Sequence, residues 1–381
     1  MPEIILRVEG KEFAGWTSAI VEKSLYQMTG TFGLTTTNKF PGNFKKWGFA
    51  MGSECQVAID DQILITGYIE DILISYDAKN HNIQIAGRDK TGDLIDCSYI
   101  AEPKLWEGQK IIEVIKALCK PFSIEVIVSD PVIDQADSIT ITEQTDSKTT
   151  CNSFKINEGE TVFDSILRLC QMQAILPVSY GDGKLTLTRA GTEKTNDSLE
   201  LGKNIKSGRI EQSNRDRFQT YIVKGQGKKQ KGSLKSSEST DQVKGEYTDD
   251  LIDKTNRYRP IVILAEEKGE AKDFRIRAKW ECINRAGKSR NIIYEIQGWT
   301  QSNGKVWPLN TLVQVKDHYL EINKKLLISK TKFSIDNEAG TMTELTIVPP
   351  ETFQLPVFNP TDKMKAAADW DPLTDFKYHN L

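Results

Sequence analysis

No apolar run in this 381-residue chain approaches the roughly 20 residues that a membrane-crossing helix needs, so no spanning helix is expected. Histidine is scarce. His81, His318 and His379 are far apart, and no Ser-His-Asp or Cys-His grouping can be assembled from them. The six cysteines (Cys55, Cys97, Cys119, Cys151, Cys170, Cys282) are scattered, without a C-x-x-C pair or a neighbouring histidine. Structural zinc wants paired ligands at short spacing, so free buried thiols are expected, with no metal and no other cofactor. Charge of one sign is also lacking: 50 Lys and Arg stand against 53 Asp and Glu, a net charge of −3. That near balance gives no global pull toward nucleic acid or an anionic membrane, so neither is expected as a partner. The start, Met1 to Val8, reads as a strand rather than a signal peptide, which points to a cytoplasmic product unless a larger assembly carries it out.

What is present is a β pattern written twice. The first copy starts at Gln56-Val57 and runs through Ile63, Leu64, Ile65 and Ile69 to Ile72, Ile74 and Tyr76, then turns and returns as Ile83-Gln84-Ile85. The second starts at Gln314-Val315 and runs through Leu326, Leu327 and Ile328 to Thr331, Phe333 and Ile335, then returns as Leu345-Thr346-Ile347. Each long strand alternates apolar and polar residues, as a half-buried strand should. Each also changes parity midway, between Ile65 and Ile72 and between Ile328 and Phe333. Side chains alternate with period two, so a parity change requires an extra residue, a bulge that bends the strand. Long bent strands with tight returns are how small barrels turn corners.

The fold class expected is mainly β with α+β parts: two similar antiparallel β-barrel domains plus two smaller α+β domains. Residues 1–98 form the first barrel. Residues 99–192 form a small α+β domain, with helical spacing at Ile111, Val114, Ile115 and Leu118 and again at Val162, Ile166 and Leu169. The second barrel takes 193–225 and 291–350. Between its halves, 226–290 is an inserted α+β region. Its tract Gly225 to Asn256 is rich in Lys, Ser and Gly and is expected to be a flexible loop without a core. A helix over Glu270 to Arg285 carries Ala271, Phe274, Ala278 and Cys282 on one face and Ile276, Trp280 and Ile283 on another, so it should be packed between elements or subunits. Residues 351–381 are a C-terminal tail without core periodicity.

Short motifs are weak. Asp89-Lys90-Thr91-Gly92 matches the phosphorylated tetrapeptide of ion-pumping ATPases, but the transmembrane helices and nucleotide domain are missing, so it reads as a turn after a strand. Cys282 to Ser289 is one residue from a phosphate loop, yet Cys replaces the first Gly and a charged helix precedes it. Glu158 to Val162 resembles the start of a LysM peptidoglycan-binding module; a Thr or Glu capping a helix is the favoured reading. Neighbours along a strand point to opposite faces, so Glu70 and Asp71 cannot converge on one substrate, and the carboxylate pairs Glu70-Asp71 and Asp249-Asp250 are expected to be solvated. No catalytic constellation results, and the chain is read as a scaffold, not an enzyme.

Several blocks in order along nearly the whole chain resemble the baseplate hub proteins of Mu-like contractile-tail phages and prophages. They are Gly67-Tyr68-Ile69-Glu70, Ala86-Gly87-Arg88-Asp89-Lys90-Thr91, Asp93-Leu94-Ile95-Asp96, Arg215-Asp216-Arg217-Phe218, Tyr258-Arg259-Pro260-Ile261, Trp307-Pro308-Leu309-Asn310 and Leu345 to Pro350. The resemblance implies a homotrimer whose barrels ring the tail axis, contacting a membrane-piercing central spike on one side and the tail tube and other baseplate proteins on the other. It implies a place in the virion tail baseplate after assembly in the host bacterial cytoplasm. It also makes Gly67, Gly87, Arg88, Asp89, Asp93, Asp96, Arg217, Tyr258, Arg259, Pro260 and Trp307 structural signature residues, turn glycines and barrel-closing salt bridges among them. Phe274, Ile276, Trp280 and Ile283 are the candidate subunit interface. Two alike barrels in each of three chains would offer quasi-sixfold symmetry to a hexameric tube and true threefold symmetry to a trimeric spike. The alternatives are a peptidoglycan-binding tail component and the spike base of a type VI-like secretion system; the latter would be expected to continue into a β-helical needle beyond Leu381.

Overall fold

The computed structural model describes residues 3–37, 50–78, 81–107, 109–129, 154–171, 175–226, 242–265 and 271–353. Its first strands are β1 (Ile4–Val8), β2 (Lys11–Phe13), β3 (Ser18–Ser24), β4 (Thr31–Thr36), β5 (Glu54–Ile59), β6 (Gln62–Tyr76) and β7 (His81–Asp89). Near the other end, β13 (Leu199–Glu200), β14 (Ile205–Gln212), β18 (Arg290–Gln297), β19 (Leu312–Asp317), β20 (Ile322–Asp336) and β21 (Gly340–Val348) form a second unit. The spatial order in the first unit is β3-β4-β7-β6-β5-β1, and in the second β14-β18-β21-β20-β19-β13. Taken by chain order within each unit, and setting aside the short β2 that extends the first beyond β1, the two sequences of strands are the same.

The parity changes are bulges. In β6 the pairing with β7 jumps from Ile69↔Gly87 to Asp71↔Ala86, leaving Glu70 as the extra residue. In β20 the pairing with β21 jumps from Ile328↔Ile347 to Lys330↔Thr346, leaving Ser329. Superimposing the two bulges places Gln56-Val57 on Gln314-Val315 through the β5–β6 and β19–β20 registers. It sets Ile69, rather than Ile65, opposite Ile328. One strand breaks the likeness: β1 runs antiparallel to β5 (Leu6↔Val57), whereas β13 runs parallel to β19 (Leu199↔Val315).

The units are not separate. Beyond its bulge β20 leaves β19 and pairs with β3, from Lys330↔Ser24 to Ile335↔Ala19, so one 13-stranded sheet contains both. A single apolar cluster runs through it, including Leu6, Val21, Val57, Ile69 and Ile85 from the first unit and Leu199, Tyr294, Val315, Phe333 and Leu345 from the second. Two closed barrels were expected; the pairings describe two like sheet units joined edge to edge.

Two smaller bodies interrupt the chain, one between the units and one between β14 and β18 of the second unit. In the first, α1 (Gly92–Asp96), β8 (Leu105–Trp106), α2 (Ile111–Cys119), β9 (Val126–Val128), β10 (Phe154–Lys155), α3 (Val162–Gln171) and β12 (Leu185–Thr188) share a second core, while β11 (Leu176–Val178), paired with β12, packs Leu176 and Val178 with Leu25 and with Leu327 and Val348 of the large sheet. In that second core the apolar faces of α2 (Val114, Ile115, Leu118) and α3 (Val162, Ile166, Leu169) are buried. β15 (Thr220–Gln226), β16 (Gln242–Thr248), α4 (Asp250–Asp253), β17 (Pro260–Leu264) and α5 (Ala271–Lys288) form the other. Here two expectations are corrected. β15, assigned by sequence to the second barrel, pairs with β16 and β17 in a separate three-stranded sheet. The polar tract is ordered over 242–256, because Val243 and Tyr247 pack with Tyr221, Val223 and Phe274 and supply the core that composition concealed. Residues 227–241, just under half of the expected loop, lie outside the described residues, as do 354–381 of the tail.

Candidate assembly interface

Two glycines stand where β6 and β7 approach most closely beside the bend. A Cβ on Gly67 would stand 1.8 Å from the Arg88 carbonyl oxygen, and one on Gly87 2.1 Å from that of Tyr68. Only glycine lets the two backbones come that close beside the bulge. Arg88 donates from Nε to Glu70 Oε1 and Oε2 at 2.8 and 2.6 Å, and its Nη2 pairs with Asp96. These partners raise the guanidinium pKa further, while Arg88 holds the Asp96 carboxyl below its usual value. The bulge is thereby tied to α1. Asp93, partly buried in that helix, is pushed up, mainly by desolvation. Glu70 is therefore ion-paired and only partly solvated; the bulge turns it toward Arg88, which strict alternation could not anticipate.

Asp89 is buried and accepts from Thr91 N and Oγ1 at 3.1 and 3.0 Å, forming the turn expected instead of phosphotransfer chemistry. Burial raises its pKa. The Cys282–Ser289 segment runs along α5 into the turn before β18, so its N–H groups serve the helix rather than a phosphate cradle. Thr161 Oγ1 accepts from Asp164 N at 3.1 Å at the start of α3, a cap as expected.

Arg217 grips Asp249 with three contacts of 2.8 to 3.0 Å, their side chains only 6% and 4% exposed. Asp249 also accepts from Leu251 N and Ile252 N and so caps α4. This corrects the expectation that Asp249 is solvated: its partner lies 32 residues away in sequence and only the fold brings it in. Arg259 donates to the Arg217 and Arg215 carbonyls and stacks over Phe218. Pro260 opens β17, Trp307 is buried in the large core, and Tyr258 stands 87% exposed.

The candidate interface on α5 is placed differently from expectation. Phe274 is fully buried against β15 and β16, and Trp280 is 9% exposed beneath Arg277, so both are occupied within the chain. Ile276 and Ile283 are half-buried. Trp280 lines a cleft of about 480 Å³ with Tyr26, Phe163, Leu167 and Phe353. Cys55, Cys119, Cys170 and Cys282 are buried free thiols, but Cys97 is exposed, and Cys151 lies outside the described residues. Among the described residues no group of three His, Cys, Asp or Glu could hold a metal ion, and no helix is long and apolar enough to cross a membrane.

What sequence reasoning missed is a pair of open sheet edges. From Asp71 to Tyr76, β6 pairs only with β7 among the described residues, and Leu73, Ile74 and Tyr76 are 57%, 63% and 77% exposed. β14, at the far end of the sheet, has β18 as its one partner strand among the described residues, with a single further bridge from Ile205 to Leu201.

A two-unit sheet with buried structural ion pairs and exposed edges is the construction of an assembly protein. Comparison with known proteins gives the family. The description "Mu phage baseplate assembly protein GpP-like, N-terminal" matches residues 3–89, "Baseplate hub protein gp44-like, second domain" matches 91–189, and "Mu phage baseplate assembly protein GpP, fourth domain" matches 270–356. The baseplate hub protein gp44 of Escherichia phage Mu is 33% identical over 359 residues, 93% of this chain and 89% of its own. The 43 kDa tail protein of prophage MuSo2 from Shewanella oneidensis is 32% identical, with a TM-score of 0.75 over 93% of this chain and 100% of its own. An E. coli component of the type VI secretion system shares the fold at 8% identity and a TM-score of 0.54, over 90% of this chain and 76% of its own. The chain belongs to the Mu-like phage baseplate hub family, a family of the phage tail.

Proposed function

We propose that three copies of the chain form the central hub of a contractile-tail baseplate, joining the tail tube to the membrane-piercing spike. The observation that carries this reading is the repeated strand order. Three chains with two like units each would offer six similar sheet units around an axis, matching a hexameric tube, while the chain itself repeats three times, matching a trimeric spike. Closure of the units into a ring, assembly in the host cytoplasm and the absence of nucleic-acid or membrane contacts belong to the same reading. So do the domain division and the structural role of the signature residues: Arg88 locks the β6 bulge and Arg217 locks the inserted sheet. The hub acts as a scaffold without catalysis.

Light scattering on the purified full-length chain tests it. A mass three times the 43.0 kDa of one chain is expected; a stable single-chain mass at micromolar concentration overturns the trimer. Peptidoglycan pull-down should retain no more protein than a control resin, because the Glu158 to Val162 stretch behind the wall-binding reading is accounted for as a helix start, with Thr161 capping α3.

A further inference from the structure

The joint between the two units inside one chain is a template for the joint between chains. Within the chain, the part of β20 beyond the Ser329 bulge pairs with β3 along the edge that β19 has vacated. β6 occupies the same position in the first unit as β20 in the second, and β3 the same as β14. The equivalent edge of β6, Asp71–Tyr76, has no partner strand among the described residues, and neither does the outer edge of β14. Where β3 covers β20, Phe333 is fully buried; its counterpart Ile74 on β6 is 63% exposed. An open edge with three large apolar side chains and no Lys or Pro is the kind that soluble proteins otherwise protect.

We propose that β6 of one copy pairs antiparallel with β14 of a second copy, repeating the β20–β3 joint between chains. The register follows from the equivalence. The β7 and β21 pairings align Ile85 with Leu345, the β4 and β18 pairings then align Leu34 with Tyr294, and the β3 and β14 pairings align Val21 with Ile210. Phe333↔Val21 in the chain therefore becomes Ile74↔Ile210 between chains, Lys332↔Glu22 becomes Leu73↔Glu211, and Ile335↔Ala19 becomes Tyr76↔Gly208. Ile210 already packs on the large core and lies on the matching face. The small residue opposite the bulky one is kept: Gly208 leaves room for Tyr76 as Ala19 does for Ile335. Each copy offers one edge of each kind, so the contact is head to tail and propagates until it closes.

This inference rests on the trimeric hub reading, and the experiment separates the two. In full-length protein carrying C97S and C151S, the pairs Ile74→Cys with Ile210→Cys and Leu73→Cys with Glu211→Cys are oxidised. Directly opposed residues in an antiparallel pair stand about 4.5–5.5 Å apart at Cα, within disulfide reach, and neighbouring pairs sample both spacings. At least one pair should give a covalent trimer on a non-reducing gel, while the slipped pair Ile74→Cys with Glu211→Cys, whose side chains face opposite ways, should not. Ile74→Asp, at an exposed position, should keep the circular dichroism of the wild type yet weaken assembly by about 30-fold or more. A trimer that Ile74→Asp leaves intact and neither opposed pair cross-links overturns the strand joint and spares the hub. A wild type that stays single-chain overturns both. A ladder growing past three copies supports the joint and overturns the closed trimer.

Discussion

Removing one partner of the Arg217–Asp249 pair should cost this protein its inserted sheet. The guanidinium makes three contacts to one carboxylate, and both side chains are almost wholly out of water. Asp249→Ala leaves a buried cation with no counter-charge, a loss of about 3–5 kcal/mol. It also removes the cap that accepts from Leu251 N and Ile252 N, worth about 1 kcal/mol more. A domain is stabilised by only about 5–15 kcal/mol in total, and this body is small, so its strands β15 to β17 should open well before the rest. Arg217→Met should be milder, because Asp249 keeps the two backbone donors of α4. Hydrogen exchange followed peptide by peptide is the assay, since a chain of several bodies need not unfold in one step. Exchange in 220–226 and 242–264 should accelerate on the order of 100-fold or more in Asp249→Ala, with the 13-stranded sheet unchanged. Equal protection in wild type and variant would refute the claim that the pair holds this body together.

Gly67→Ala forces a Cβ to within 1.8 Å of the Arg88 carbonyl and should cost about 3 kcal/mol or more, read as lost soluble yield; a variant with the wild-type melting temperature refutes the close-approach argument. Lys23 is buried against the Tyr180 carbonyl, and desolvation brings its pKa down to about 8, partly opposed by Asp89 and Asp182. The unfolded chain therefore binds more protons between pH 8 and 10.5. The penalty is complete below pH 8 and fades above it, so stability should gain about 3 kcal/mol over that window from this group. Denaturant melts of Lys23→Met should lose the rise, and an unchanged slope would contradict it. Asp89→Ala strips the acceptor from Thr91 N and Oγ1 and should lower stability by about 1–3 kcal/mol; cell-wall zymograms showing clearing by the wild type but not the variant would instead make Asp89 catalytic.

The period-two alternation and its parity shift are local properties of a strand, and they were enough to locate both bulges to within a few residues and to pair Gln56-Val57 with Gln314-Val315. Helical spacing likewise placed α2, α3 and α5, because a buried helix face repeats every turn. The resemblance of scattered blocks to the phage hub family was also legible without coordinates. What depended on distant partners was not. Asp249 and Glu70 read as solvated until the fold delivered Arg217 and Arg88 to them. Val243 and Tyr247 looked too sparse to build a core until α5 covered them with Phe274. Whether two like units stand apart or share a sheet is decided by one edge. β20 continues beyond β19 and meets β3, while β6 continues beyond β5 and, on the edge away from β7, meets no strand among the described residues. The alternation along β6 and β20 is the same, so the sequence by itself specifies two bent strands of one kind. Only the tertiary structure buries Phe333 and leaves Ile74 exposed, because burial of a strand edge belongs to the neighbour that reaches it and not to the strand.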